Sequence, residues 1–421
     1  MNRKTIPRRK WRATDPDGWF AAMAARQMQL DKLATRRLPR MLEVKRRKML
    51  VSPHGFFRGS APLFYEILAA RPDLVPDLAG SGAIVGDMHL ENMGAYRRND
   101  GAVTFDLNDF DEGLPEAPLA LDVIRVATST LLSARYLRAT GPMLLELAGR
   151  LLVSHARALF SRGRVHDPPL PEVIATLLHR LERRTRQELL AQRTAGSVDR
   201  RHFVLDGKRY LPLPATLRRA FPPLLRAYAA RLEEKGQNSL GELHAEDVAL
   251  RIAGTGSLGK VRIAAIVAHG KRERILDFKE AGLPAELPLL PDPGLDQAER
   301  IVGVASRLLP SLPRRMGAVR SASLELSFVG QQLTPQQDKL DLSTLVPGER
   351  TDRLLETLGH IVGRAHARGL HSLPARAWSD RKLREVLARA AELAAIYEGI
   401  HLAYALGYGG ISLGGRAARQ M

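Results

Sequence analysis

Two β-rich segments interrupt a chain whose other patterns are helical, and their order limits the folds that the chain can adopt. Short strand patterns occupy 82–110, and a longer β-rich run spans 244–281. A strand-like segment at 323–333 follows, and the C-terminal part returns to a helical pattern. This alternation predicts an α+β fold of two lobes, in which a small β-rich lobe is inserted in a larger helical lobe.

The same alternation divides the chain of 421 residues into four segments, which is a length sufficient for a two-lobed unit. Within the second segment, the dipeptide Asp206-Gly207 predicts the turn of a β-hairpin at 202–214. The predicted segments are a basic helical N-terminal segment at 1–50, a helical lobe at 51–243, a β-rich lobe at 244–345 and C-terminal helices at 346–421 that complete the helical lobe.

Composition bears on the compartment and the partners of the protein. The absence of cysteine excludes disulfides and thiolate metal sites, and it fits a reducing cytoplasm. The basic N-terminus lacks the apolar stretch of a signal peptide, and charges within the apolar run at 118–137 argue against a membrane span. We therefore expect a cytoplasmic protein.

The net charge of +19 favours contact with a polyanion, such as nucleic acid or anionic lipid, but no DNA-binding motif accompanies it.

The long β-rich run contains a glycine pattern that two phosphate-binding folds share. A dinucleotide-binding fold places a helix directly after the glycines, whereas protein kinases place the glycines in a hairpin that covers the phosphates of ATP. Here a strand pattern follows, and the next strand presents Lys279 where kinases have a phosphate-binding lysine. The segment GTGSLGKV therefore favours a kinase-type nucleotide site, whose candidate residues are Gly254, Gly256, Ser257 and Gly259.

An acidic segment near the N-terminus supplies the matching catalytic loop. In GDMHLENMG, Asn92 follows Asp87 by five residues, which is the spacing of the kinase motif H-R-D-x-x-x-x-N. In that motif the Asp accepts the proton of the substrate hydroxyl and the Asn binds Mg²⁺. A strand pattern then delivers Asp109, in the sequence Asp109-Phe110-Asp111, where kinases have an Asp that binds Mg²⁺. Carboxylate and amide oxygens are the hard ligands that Mg²⁺ prefers.

The same acidic segment permits a second interpretation, as the first half of a binuclear metallophosphatase site. Such a site needs further carboxylate and histidine ligands, usually including an Asn-His pair downstream. No Asn-His pair occurs in the sequence. The kinase interpretation is therefore favoured over the metallophosphatase.

The order of the motifs differs from that of ordinary kinases, in which the glycine loop and the lysine precede the catalytic loop. Here they follow it by more than 160 residues. The segment 356–372 has the pattern of the helix that leads into the catalytic loop, yet it lies after the β-rich lobe. We therefore predict a circularly permuted kinase-like fold, since permutation moves the termini without removing core contacts.

These motifs carry a resemblance to a known family. The segments GDMHLENMGAY, FDLNDFDEG, GTGSLGKV, DFKEA and GRAHARG resemble those of a bacterial family catalogued as domain of unknown function 2252, over roughly 40–405. That family is grouped with kinase-like and aminoglycoside-phosphotransferase-like folds. The resemblance implies a two-lobed protein that uses ATP and Mg²⁺, and it names no acceptor.

The resemblance also implies roles for individual residues. Asp87 matches the catalytic Asp, and Asn92 and Asp109 match the metal ligands. The glycine loop and Lys279 match the phosphate-binding elements. Asp122 stands where phosphotransferases of this type have a structural Asp that steadies the catalytic loop.

The chain departs from the family pattern beside the catalytic Asp. Val85 stands where aminoglycoside phosphotransferases have a histidine, two residues before Asp87. His89 lies after Asp87 instead. We include His89 among the catalytic candidates, as a residue that orients the loop rather than one that carries protons.

Other candidates complete the predicted site. Glu299 is the best candidate for a helix-borne partner of Lys279. Asp106 and Asp111 are additional acids, one of which we expect to support or bind the metal. Arg58 is a candidate for a phosphate contact or for a structural ion pair.

Together, these features predict an Mg-ATP-dependent phosphotransferase that transfers the γ-phosphoryl group to a hydroxyl of an unidentified acceptor, a small molecule, a protein or a lipid. The alternatives are an ATP-binding pseudokinase and a nucleotidyl transferase on the same scaffold. The metallophosphatase and a basic nucleic-acid-binding protein, in which the motifs are coincidental, are the least favoured readings.

Overall fold

A computed structural model describes residues 16–407, except 163, 165, 198–199, 235, 237–243, 255, 257, 270–271 and 346–349. The ends of the two predicted terminal segments, 1–15 and 408–421, lie outside the described residues. Thirteen α-helices and four small antiparallel sheets occur in the part of the chain that the structure describes. The fold is therefore of mixed α+β class.

The helices are unevenly distributed, with most of them before and after the longest strands. Two single turns of 3₁₀ helix occur at Pro72–Leu74 and Leu342–Thr344. The α-helices are α1 (Pro16–Ala34), α2 (Met41–Leu50), α3 (Pro53–Gly59), α4 (Ala61–Ala70), α5 (Ala120–Leu131), α6 (Ala134–Leu137), α7 (Gly141–Phe160), α8 (Glu172–Glu182), α9 (Arg186–Ala191), α10 (Ala215–Glu234), α11 (Gln297–Leu308), α12 (Thr351–Arg368) and α13 (Asp380–Gly407).

The strands are short near the N-terminus and longest in the region predicted to be β-rich. They are β1 (Ser81–Ile84), β2 (Met93–Arg97), β3 (Val103–Leu107), β4 (Leu114–Pro118), β5 (Thr194–Ala195), β6 (His202–Phe203), β7 (Tyr210–Pro212), β8 (His244–Arg251), β9 (Arg262–His269), β10 (Arg272–Glu280), β11 (Gly317–Ser321), β12 (Leu326–Leu333), β13 (Asp338–Lys339) and β14 (Leu370–Ser372).

The largest sheet has six strands in the order β11-β12-β10-β9-β8-β7. Successive residues of β10 alternate between its two faces, because side chains along a strand point to opposite sides. Leu276 and Phe278 join the core that α10 covers, whereas Ile275 joins the core on the other face. Phe278 packs edge to face against Phe221 and Tyr228 of α10. The helix α10 therefore belongs structurally to this sheet, although it precedes β8 in the chain.

The predicted hairpin at 202–214 is wrong, although its turn is present. Gly207 has a φ of +71°. Asp206 Oδ1 accepts hydrogen bonds from the backbone amides of Lys208, Arg209 and Tyr210. The two flanking strands, however, pair with different neighbours, β6 with β5 and β7 with β8. The side chain of Asp206 satisfies the amides that a hairpin ladder would otherwise use, so the turn forms without the hairpin.

The helical part is held together by close contact between α7 and α12. A Cβ atom on Gly359 or Gly363 would overlap the carbonyl oxygens of Leu151 and His155 on α7, so only glycine permits this separation of the two helices. Helix α5 packs against α7 and α13, and every one of its twelve residues is buried. Since α12 and α13 follow the six-stranded sheet in the chain, helices from both flanks of that sheet share one hydrophobic core.

Two three-stranded sheets pack against the helices α8, α11 and α12. Their orders are β14-β1-β4 and β13-β2-β3. The segment 86–92 joins β1 to β2, and the segment 108–113 joins β3 to β4, so both predicted acidic motifs occupy connections between these two sheets. A helix with the length and apolar surface that a bilayer demands does not occur among the described helices.

Candidate active site

The acidic connection after β3 meets a lysine from the large sheet. Lys279 lies on β10, and its Nζ is 3.0 Å from Asp109 Oδ1 and 2.7 Å from Asp111 Oδ2. Lys279 and Asp109, both predicted from the sequence to serve one nucleotide site, are therefore in direct contact. The contact joins a residue of the six-stranded sheet to residues of the connection between the two small sheets.

Two further lysines complete a charged cluster with these carboxylates. Lys260 Nζ, directly after the glycine loop, is 3.1 Å from Asp111 Oδ2, and Lys339 Nζ on β13 is 3.5 Å from Asp109 Oδ2. Burial alone would raise the pKa of Asp109, but Lys279 and Lys339 outweigh that effect and hold its pKa well below the usual range. Burial also acts to raise the pKa of Asp111, but the charges of Lys260 and Lys279 outweigh it, so the pKa of Asp111 is lowered. Both carboxylates are therefore ionised at neutral pH.

Asp87 lies close enough to Asp109 for that carboxylate to contribute to its raised pKa, and it is held by a buried arginine. Arg125 Nε donates a hydrogen bond to Asp87 Oδ1 over 3.0 Å, and its Nη2 donates to the same oxygen. The guanidinium is fully buried, at 4.4 Å from the ring centroid of Phe57 and 4.6 Å from that of Phe64. Burial raises the pKa of Asp87 to about 6, although Arg125 opposes the shift. A carboxylate with this pKa suits a general base near neutral pH.

Asn92 connects the two acidic segments through its amide. Its Nδ2 donates to the backbone carbonyls of Asp87, over 3.2 Å, and Asp109, over 3.1 Å. Its Oδ1 is buried and has no hydrogen-bond partner among the described residues. Because a buried acceptor without a partner costs about 1–3 kcal/mol, this oxygen is a candidate metal ligand.

The loop that carries Asp87 is fixed by a second aspartate. Asp122 on α5 accepts hydrogen bonds from the backbone amides of Val85, over 2.7 Å, and Gly86, over 2.9 Å. His366 Nε2 on α12 lies 3.1 Å from Asp122 Oδ2, and its Nδ1 lies 2.9 Å from His155 Nε2 on α7. Helices from both flanks of the large sheet therefore hold the backbone directly before Asp87.

The glycines that bracket this loop are required by their surroundings. Gly86 has a φ of +78°, and a Cβ there would overlap the carboxylate of Glu286 and the carbonyl of Glu112. A Cβ on Gly94 would overlap the amide of Asn108 and the carbonyl of Asp338. Backbone conformation at the first position and close packing at both explain the two glycines.

The glycine loop joins β8 to β9 and packs against the N-terminal helices. Gly254 and Gly259 have φ values of +77° and +101°, which favour glycine. A Cβ on Gly259 would overlap the carbonyl of Ala34 at the end of α1, and Lys48 Nζ on α2 donates to the Gly254 carbonyl over 3.3 Å. Ser257 lies outside the described residues.

Other predicted site residues lie away from the lysine–aspartate cluster. Glu299 on α11 pairs with Arg231 of α10, and no contact between Glu299 and Lys279 occurs among the described residues. Asp106 is buried, with its Oδ2 3.4 Å from Arg368 Nη2.

His89 and Arg58 belong to a second polar cluster beside the loop. His54 Nε2 lies 3.1 Å from Glu91 Oε2, and Arg58 pairs with the same carboxylate oxygen. His89 packs edge to face with His54 at 6.4 Å between ring centroids. Burial holds the pKa of His89 well below its ordinary value, so this side chain is neutral. Neither His89 nor Arg58 bonds to Asp87 in the described structure.

Three functional candidates were missed by the sequence predictions. Arg125 occurs in an otherwise apolar helix, and a buried arginine requires a carboxylate partner, so its sequence context was a usable signal. Lys260 directly follows the last glycine of the loop, which was a weaker signal. Lys339 had none, because only the pairing of β13 with β2 brings it to Asp109.

The donor set fits a magnesium ion held jointly with substrate. No cluster of three or more histidine, aspartate and glutamate side chains that could hold a metal occurs in the described part of the chain. Mg²⁺, however, is commonly bound by one or two carboxylates together with substrate phosphates. The unpaired Oδ1 of Asn92 and the ionised carboxylate of Asp109 are oxygen donors of that kind.

Comparison with known proteins gives one match. The model of a family described as an uncharacterized protein conserved in bacteria (DUF2252) matches residues 37–404, which is most of the chain. No curated protein and no solved structure matches it.

Proposed function

The chain belongs to the DUF2252 family, and we propose that it transfers the γ-phosphoryl group of ATP to a hydroxyl of an acceptor molecule. The observation that carries this proposal is the contact between Lys279 Nζ and Asp109 Oδ1 at 3.0 Å. A lysine on the strand after a glycine hairpin, facing an aspartate of a metal-binding segment, is the arrangement by which kinases hold the phosphates of ATP.

The order of elements supports a kinase-like nucleotide site. The glycine loop joins the first two long strands, β8 and β9, and Lys279 lies on the third, β10. Helix α11 follows β10, as a helix follows the lysine strand in kinases. Asp87, Asn92 and Asp109 have the spacing and order of the kinase catalytic segments.

Circular permutation explains why these segments occur in the reverse order. Helix α12 ends at Arg368, and β14 directly after it pairs with β1, which leads into the loop of Asp87. In space, α12 therefore precedes the catalytic loop, although it follows that loop in the chain. We propose that the fold is a kinase-like fold whose termini have moved to a point before this loop.

The proposed step uses Asp87 as the base. The acceptor hydroxyl oxygen forms a bond to the γ-phosphorus, the bond from that phosphorus to the β–γ bridging oxygen breaks, and ADP leaves with the electron pair. The hydroxyl proton passes to Asp87. Both hydrogen bonds from Arg125 to Asp87 end on Oδ1, which leaves Oδ2 available to accept this proton.

The remaining residues bind and orient the nucleotide. Lys279 and Lys260 would neutralise phosphate oxygens, and backbone amides of Gly254, Gly256 and Gly259 would donate hydrogen bonds to them. Asn92 and Asp109, with Asp111 beside them, would hold Mg²⁺. When bound, the ion would neutralise charge on the β- and γ-phosphates.

A second function, nucleotide binding without transfer, is favoured by one observation. Both oxygens of Asp109 lie within 3.5 Å of a lysine Nζ, so metal binding requires these ion pairs to rearrange.

Incubation of the protein with Mg²⁺ and either γ- or α-labelled ATP in the presence of a metabolite pool distinguishes phosphoryl transfer, nucleotidyl transfer and binding alone. We expect the γ label to appear in a new product. Label from the α position in the product would indicate nucleotidyl transfer, and binding without any labelled product would indicate a pseudokinase.

A further inference from the structure

We infer that a cavity beside the lysine–aspartate cluster binds the phosphoryl acceptor. We infer further that the acceptor is a small anionic alcohol, one that carries a phosphate or a carboxylate. This inference rests on the proposed function, because it assigns the substrate class of the same site. It follows from the position, the charge and the connections of the cavity.

The cavity lies between the start of α8, strand β13, the single turn of helix at Leu342–Thr344 and the start of α12. Its volume is about 890 Å³. Small-molecule sites of proteins commonly have volumes of about 300–1,000 Å³, so the cavity has room for a metabolite of hexose size. Leu170, Val173 and Leu177 contribute apolar surface to its wall.

The lining carries more positive than negative charge. Arg180 and Arg184 share a single carboxylate, that of Asp338, with 3.3 Å between each Nη2 and Asp338 Oδ2. One carboxylate cannot neutralise two guanidinium groups, and guanidinium groups bind phosphate and carboxylate in a bidentate manner. The cationic residues of the wall are Arg180, Arg184, Lys339, Arg350 and Arg353, and its acidic residues are Glu172, Asp338 and Asp341.

The wall of the cavity is bonded directly to the catalytic segments. Lys339 lines the cavity, and its Nζ is 3.5 Å from Asp109 Oδ2. The backbone amide of Leu340 donates to the Met93 carbonyl over 3.0 Å, directly after Asn92. The backbone amide of Leu342 donates to Glu91 Oε1 over 3.3 Å. The wall of the cavity is therefore continuous with the loop that carries Asp87 and Asn92.

The sign of the charge selects among acceptors. Arg350 and Lys339 are already paired with Asp352 and Asp109. Arg180 and Arg184, which share one carboxylate, would repel a cationic amino sugar and would pair with a phosphate or carboxylate group. The hydroxyl of an anionic acceptor would remain free to approach Asp87. The overall charge of +19 therefore has one local function in this cavity.

Calorimetric titration of the full chain tests the inference in two steps. The protein is first titrated with the β,γ-imido analogue of ATP in the presence of Mg²⁺. The saturated complex is then titrated with glucose 6-phosphate, glucuronate, glucose and glucosamine, which share one ring and differ in charge. The variants are the double substitution Arg180→Gln and Arg184→Gln and, as a matched control, Arg183→Gln, an exposed neighbour that does not line the cavity.

We expect at least one of the two anions to bind at least about tenfold more tightly than glucose and glucosamine, because hydrogen bonds between a guanidinium and an anion are stronger than those between neutral groups. We expect the double variant to lose about tenfold of this affinity and Arg183→Gln to retain it. Binding of glucose phosphate alone would identify a phosphate site, and binding of glucuronate alone a carboxylate site.

The inference is overturned if neither anion binds, if glucose or glucosamine binds as tightly, or if the double variant and the control behave alike. The first titration reports on the proposed function separately. If the ATP analogue fails to bind while the anions still do, the phosphotransferase assignment fails and the cavity remains an anion site.

Discussion

Lys279 Nζ lies 3.0 Å from Asp109 Oδ1, although 170 residues separate the two in the chain. Lys279 belongs to the six-stranded sheet, and Asp109 follows a strand of a small sheet that packs against the helices. The ion pair therefore links the large sheet to the connection between the two small sheets.

We expect Lys279→Ala to weaken Mg-ATP binding or turnover by about tenfold or more, since it removes a positive charge from the phosphate site. Because Lys279 and Asp109 act on the same phosphates, the effects of Lys279→Ala and Asp109→Ala should not be additive in a double-mutant cycle. Lys382→Ala is a matched control, because the ion pairs of Lys382 are with Asp77 and Glu385. Strictly additive losses would mean that the two residues serve different sites.

We expect Asp87→Asn to lower kcat by roughly 10²–10⁴ while leaving nucleotide affinity nearly unchanged, because the substitution removes the base and preserves the shape of the side chain. Steady-state kinetics and a binding isotherm for the ATP analogue measure the two effects. Unchanged kcat would show that Asp87 is not the base.

We expect kcat/KM to rise with pH through an acid limb near pH 6, because the pKa of Asp87 is raised from 3.8 to about 6 and the base must be ionised. Between pH 3.8 and about pH 6 the native state keeps the proton of Asp87 that the unfolded state has released. The contribution of Asp87 to the free energy of unfolding therefore falls as pH rises through this range. Arg125→Lys keeps the charge but loses the paired hydrogen bonds, and it should move the limb upward. An acid limb near pH 4 would contradict the shift.

We expect the rise in melting temperature caused by Mg-ATP, over that caused by ATP alone, to shrink in Asn92→Ala, because the unpaired Oδ1 is lost as a metal ligand. Asn92→Asp is the matched variant, since it retains an oxygen at this position and should retain more of the metal-dependent shift. Equal shifts in the wild type and Asn92→Ala would remove Asn92 from the metal site.

We expect Asp122→Asn to destabilise the protein by about 2–4 kcal/mol, because a buried carboxylate that accepts two backbone amides would be replaced by a side chain with one acceptor. Urea denaturation measures the change in the free energy of unfolding. Asp73→Asn, at an exposed ion pair with Arg71, is the control and should cost at most about 1 kcal/mol. If the two variants are equally stable, Asp122 does not hold the loop.

Features that depend on short stretches of backbone could be predicted from the sequence. The five-residue spacing of Asp87 and Asn92 is covalent, and glycines at 254 and 259 have the positive φ values that a glycine-rich turn requires. The helix at 120–131 was recognised because its apolar run is long enough for a buried helix and too highly charged for a membrane. In each case the relevant physical constraint lies within a few residues.

Features that depend on which face of an element points inward required the tertiary structure. Adjacent residues of a helix differ by about 100° in direction. On α11 the buried position is taken by Arg300, which donates to the carbonyls of Asp111 and Gly282, so Glu299 points away and pairs with Arg231. The sequence placed an acidic residue on this helix, but the rotation of the helix was decided by its packing against strands of both the large sheet and a small sheet.

The sequence by itself determined which residues can do chemistry and how they are spaced along the chain: the acidic loop, the glycine loop and Lys279. Only the tertiary structure decided their partners. The pairing of Arg125 with Asp87, and of Lys339 with Asp109, results from long-range packing of α5 and β13. Such contacts follow from burying many apolar side chains at once, and no local pattern encodes the result.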